Sequence, residues 1–308
     1  MRVWGLQLIV GVGVFLCAQT TIGVVAIVLG MLGGGLDPAK ALSTSSKDLF
    51  NNPAVFLPGA IASAVVAVAG YWILMRLLRQ RPVAEMGGPG ILKELGVGLA
   101  LGAALIALVF AVLAIVGAYR IVQVGWNGGI LVGLGVGIMA GFAEEILFRG
   151  VILRLLEAWL GSWWALGITS AVFGLPHLLN SEASLFGAIA IALEAGILMG
   201  ACFMLTRRLW LAIGLHIAWN FVQGGIFGSD ISGAGTGRGL FEASFSGPDL
   251  ITGGDMGIEA SIVAIVVCMT AGLVMLLLAH HRGMIVAPSW RRRAQDQQDS
   301  GAQDQQDK

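Results

Sequence analysis

Residues 129–157, GILVGLGVGIMAGFAEEILFRGVILRLLE, form an apolar run long enough to cross a bilayer core about 30 Å thick, yet Glu144, Glu145 and Arg149 lie well inside it, ahead of Arg154 and Glu157 at its end. An ionisable side chain at the centre of a membrane helix costs at least about 2.5–3.5 kcal/mol, so Glu144, Glu145 and Arg149 are functional candidates by default. Residues four apart on a helix share a face, which lets Glu145 pair with Arg149 and stay ionised. Glu144 is rotated about 100° from its neighbour and is the carboxylate left to face a cavity. Gly133, Gly137 and Gly141 lie four apart on the ridge that continues through Glu145. Small residues let helix backbones approach closely in lipid, so this ridge predicts a packed interface with the charged pair pointing into the bundle.

The rest of the chain agrees with a membrane solvent. Of 308 residues, 57% are hydrophobic and 12% charged, where a soluble domain is about a quarter charged. Lys plus Arg and Asp plus Glu both total 18, which gives no basic field for nucleic acid and excludes that partner. Cys17, Cys202 and Cys268 are scattered in apolar runs without metal or disulfide spacing and read as small hydrophobes. The first run extends from Leu6 to about Leu32, beyond a signal h-region, and is expected to be a retained span.

Counting apolar runs gives spans at 6–32, 56–78, 95–119, 129–157, 162–178, 185–205, 209–227 and 258–280. The expected fold is therefore all-α, a polytopic bundle of eight transmembrane helices around a polar intramembrane cavity. The fifth and seventh runs are short and interrupted, as buried helices are. Three N-terminal spans fill 1–128, a core 129–227 carries the polar residues, and 258–282 is the last span. Asp37-Pro38 and Asn51-Asn52-Pro53 mark an external loop near 34–55. The Gly/Ser-rich segment 228–257 is expected to be an external loop, either mobile or a lid, with mobile the favoured reading, and 283–308, with its Gln-Asp repeats, a disordered tail. A cytoplasmic N-terminus puts 13 basic residues inside and 4 outside, with Arg149 set aside, so both termini are expected in the cytoplasm of a multi-pass protein of the cell membrane.

Further polar residues sit at membrane depth: His177 ends the fifth run, and His216 and Asn220 share a face of the seventh. At 1.5 Å per residue, Glu145, His177 and the His216/Asn220 pair lie roughly 10–21 Å from the inner surface, deep enough to share a cavity. Pro176 removes a backbone donor next to His177 and predicts irregular, water-accessible backbone there.

In order, the residues read Glu-Glu-x-x-x-Arg (Glu144, Glu145, Arg149), Phe-x-x-x-His (Phe173, His177) and His-x-x-x-Asn (His216, Asn220). This set resembles the CAAX protease and bacteriocin-processing family of intramembrane glutamic endopeptidases, with no departure at the defining positions. The resemblance covers residues 129–227. It implies a helical bundle around a conical cavity, and hydrolysis of a peptide bond in a membrane-associated protein or peptide, prenylated and CAAX-type or bacteriocin-like. By motif, Glu144 and His177 would activate water, and His216 and Asn220 would stabilise the oxyanion. No cofactor is expected. Two carboxylates and two histidines also suit Zn²⁺, but the His-Glu-x-x-His signature is absent and the metal version is not favoured. The competing readings are a non-catalytic immunity or scaffold protein of the same fold, which a missing motif residue would have favoured, and a proton-coupled transporter. A transporter would show paired broken spans in its two halves, and none are found. Glu194 lies within the sixth run, where it would either line the cavity or face a polar neighbour.

Overall fold

Lipid offers no partner to a bare N–H or C=O, so each apolar run closes its own hydrogen bonds as a helix. The computed structural model describes residues 2–32, 52–79, 83–235 and 238–292. Eight helices carry the bundle: α1 Arg2–Leu32, α2 Pro53–Arg79, α3 Ile91–Ile115, α4 Gly129–Leu160, α5 Ser162–Gly174, α6 Leu185–Thr206, α7 Trp210–Asn220 and α8 Ile262–His281. Among the described residues, six helices (α1, α2, α3, α4, α6 and α8) are long and apolar enough to cross a membrane. The two short ones are those the hydropathy marks as interrupted. Every residue of α7 from Leu211 to Asn220 is buried, whereas α5 keeps Trp163 and Trp164 exposed on its outer face.

Glycine explains how α7 is swallowed by the bundle. On one side the α4 ridge leans on it so closely that a Cβ at Gly137 would stand 2.5 Å from the Ile217 carbonyl oxygen. On the other side α3 does the same, and a Cβ at Gly98 would stand 2.3 Å from the Leu211 carbonyl oxygen and 2.9 Å from the Leu215 nitrogen. Backbone cannot yield as a side chain can. Gly98→Val is therefore expected to force α3 off α7 and to cost about 1–3 kcal/mol, read as a lowered melting temperature in detergent.

Three expectations are corrected. The span expected at 95–119 is present but displaced to Ile91–Ile115: α3 stops at Ile115, Gly117 turns the chain with φ 76°, and Tyr119–Val124 (β1) pairs antiparallel with Phe241–Phe245 (β2). The strand residues, rich in Ile and Val, merely prolong the apolar pattern of the helix before them.

The segment 228–257, over its described residues 228–235 and 238–257, is folded rather than a mobile loop. It contains β2, a helical turn at Asp249–Thr252 and a strap at 229–235. The Asp230 carboxylate gathers the Ile231 and Gly235 N–H groups at 2.6–2.9 Å, and Gly233 N–H donates to the Met256 carbonyl. The last span then begins at Ile262, capped by the Ser261 hydroxyl, which accepts the Ala264 N–H at 3.1 Å.

The expected disordered tail is ordered over residues 283–292. Ser162 exchanges backbone and hydroxyl bonds with Val286 at 2.9 and 2.8 Å, and Arg292 donates to the Ala158 carbonyl at 2.7 Å. The Gln-Asp repeats and most of the 34–55 loop lie outside the described residues.

Candidate active site

Three π-helical turns border the polar residues: Ile146–Leu153 within α4, Ala192–Gly196 within α6, and Phe221–Ile226 after α7. Such turns loosen the i→i+4 ladder and recur at functional sites. Their effect here is concrete. Arg149, 0% exposed, rises from the first of them and donates through Nη2 to the Ala195 and Gly196 carbonyls of the second, at 2.9 and 3.2 Å. Nη1 meets Glu145 Oε1 at 3.0 Å, as the spacing predicts, and the guanidinium lies 4.5 Å from the centre of the Phe173 ring. A fully buried cation is thus matched by a carboxylate, two carbonyl dipoles and an aromatic face.

The same Glu145 oxygen accepts a second bond, from His216 Nδ1 at 2.8 Å. The sequence pairs Glu145 with Arg149 alone, and α7 brings the third partner. With Nδ1–H committed to a carboxylate, the ring presents Nε2 to the cavity.

His177 is oriented differently. After α5 the chain tightens into a 3₁₀ turn at Leu175–Leu179, where amides bond three residues back, and the Phe173 carbonyl accepts the His177 Nδ1–H at 3.0 Å. A carbonyl can only accept, so this tautomer leaves a lone pair on Nε2. Phe173 therefore works at both ends, its ring under Arg149 and its carbonyl on His177.

Glu144, His177, His216 and Asn220 line one cavity of about 340 Å³, with Phe173 and Ser232 in its wall. Glu145 and Arg149 stand behind it, wholly buried. The six residues predicted from the sequence thus divide into four that face the cavity and two that hold the scaffold.

Three acidic or polar neighbours lie outside that prediction. Glu194, 1% exposed, and Glu259, 4% exposed, line a smaller void of about 20 Å³ together with His177, His216 and Asn220. Glu259 sits in the turn Ile258–Ala260 just before α8, and burial raises its carboxyl above the usual range against the pull of the Ser232 donors, His177 and His216. Ser232 faces both spaces. Glu194 was visible in the sequence as a charge inside a span, while Glu259 stands at a helix start, where a carboxylate is unremarkable.

Fold and site together define an all-α polytopic membrane protein with a polar cavity between its helices. Residues 125–222 match the family model described as Type II CAAX prenyl endopeptidase Rce1-like, and the matched segment holds all six predicted residues. The match covers about a third of the chain, and the matched family is one of proteases. No curated protein and no solved structure matches the chain.

Proposed function

We propose that this protein is an intramembrane endopeptidase that hydrolyses a peptide bond of a membrane-associated protein or peptide by water activated on Glu144 and His177. The observation that carries the reading is the convergence of Glu144, His177 and the His216/Asn220 pair, from three separate elements, on one cavity inside the bundle. The Glu144 carboxylate and the His177 Nε2 lone pair are both acceptors, suited to drawing a proton from water as its oxygen attacks the substrate carbonyl. Glu144 then returns that proton to the departing amine nitrogen, which balances the step.

Across the cavity, Asn220 offers amide N–H donors. His216 donates from Nε2 when its ring carries both protons, the form that the Glu145 carboxylate at Nδ1 favours. Donors fixed in a low-dielectric site stabilise the tetrahedral oxyanion without reorganising. The proposed route uses protein groups alone. The substrate is a prenylated CAAX-type protein or a bacteriocin-like peptide, a class supported by the description of the matched family in the first case. The 13-to-4 basic asymmetry supports both termini in the cytoplasm of the cell membrane.

The test compares protein termini in membranes of cells carrying the wild type and cells carrying Glu144→Ala at matched abundance. New termini that need Glu144 are expected, and they identify the substrate. Identical termini in both would replace the protease by the non-catalytic scaffold.

A further inference from the structure

Glu259 lies beyond the matched segment, yet its carboxylate ties together two walls of the cavity. Oε1 accepts the indole N–H of Trp219 at 3.2 Å, and Oε2 accepts both the backbone N–H and the hydroxyl of Ser232 at 2.7 Å. Trp219 is the residue before Asn220, on the helix of His216. Ser232 is the middle of the strap and one of two described non-glycine residues with positive φ, at 52°. That conformation is uncommon for a side chain with a Cβ and persists where surroundings over-determine it. Here they do: Glu259 takes the Ser232 N–H and hydroxyl, and Asn180 Nδ2, three residues after His177, donates to the Ser232 carbonyl at 2.6 Å.

One carboxylate therefore connects the helix bearing the oxyanion donors to a strap that is itself pinned beside the water-activating histidine. We infer that Glu259 is a positioning residue of this site, which sets the distance between the His216/Asn220 side and the His177 side by clamping Trp219 to Ser232. The inference rests on the protease reading. It assigns a role to the segment after residue 222, which the three sequence motifs do not reach.

A positioning role and a stabilising role differ in what they move. Glu259→Gln keeps the size but turns an N–H₂ towards either the Trp219 indole N–H or the Ser232 backbone N–H, both of which can only donate, so at least one of the three bonds must break. Trp219→Phe keeps the ring and removes only its donor. On a peptide spanning the Glu144-dependent cleavage site, each variant is expected to lower kcat about tenfold with KM within about twofold of wild type, the loss of one hydrogen bond to a charged group. The double variant is expected to be no slower than the slower single, because breaking either arm already disconnects Trp219 from Ser232.

A kcat per folded molecule equal to wild type in both single variants overturns the inference, whatever happens to melting temperature. So does a strictly multiplicative loss in the double variant. Should Glu259→Gln fail to accumulate, Trp219→Phe and Ser232→Ala, which remove one donor each, carry the same comparison. Failure of the protease reading is distinct: wild type and Glu144→Ala then yield the same termini.

Discussion

Arg149→Met is expected to destabilise the protein by about 3–5 kcal/mol, the cost of breaking a buried ion pair from one side. Methionine fills much of the space but leaves the Ala195 and Gly196 carbonyls without their donor and Glu145 with only His216 as a partner. Neither charged group reaches water, since Glu145 and Arg149 are both 0% exposed. The damage therefore spreads to α6 and α7 as well as α4. A strongly lowered melting temperature in detergent and a fall in membrane abundance would check it. The double variant Glu145→Gln, Arg149→Met removes both charges and is expected to recover much of the stability, because an uncharged pair carries no unpaired ion. It should not recover processing, since the amide no longer favours the doubly protonated His216. An Arg149→Met protein that melts with the wild type would show that the pair is not a structural support.

Arg149 also marks the limit of what the sequence discloses. Its pairing with Glu145 follows from spacing, and its importance from the expense of charge in lipid. Its two carbonyl partners do not, because Ala195 and Gly196 are ordinary apolar letters whose backbone becomes available only in a π-helical turn. The eight helices were legible for a related reason, as hydropathy and length leave few options to a chain in a bilayer.

Where the chain leaves the hydrocarbon that constraint lapses, and the reading fails. Tyr119–Val124 continues an apolar pattern into a strand. The 228–257 segment looks the same in composition whether its glycines are slack or, like Gly228, Gly233 and Gly253, hold defined turns at positive φ. Glu259 was missed for the same reason, since a carboxylate at the mouth of a span costs little and attracts no notice. Its partners, an indole and a serine, are brought to it by tertiary folding alone.

The second large effect concerns the oxyanion side. His216→Ala and Asn220→Ala are each expected to lower kcat about 10²–10³-fold with little change in KM, the loss seen when one oxyanion donor is removed. The reason for the split is that these donors meet their full partner only when the carbonyl oxygen becomes negative, so their energy appears in the transition state and not in substrate binding. His216→Ala also strips Glu145 of a donor at 2.8 Å and is expected to lower stability as well, which Asn220→Ala, whose side chain makes no hydrogen bond among the described residues, should do much less. The two donors serve one oxygen, so the double variant should fall short of the product of the single losses. Kinetics on the peptide that spans the Glu144-dependent cleavage site decide it. If His216→Ala raises KM and leaves kcat intact, His216 binds substrate, and the assignment of water activation to Glu144 and His177 loses the electrophilic partner it requires.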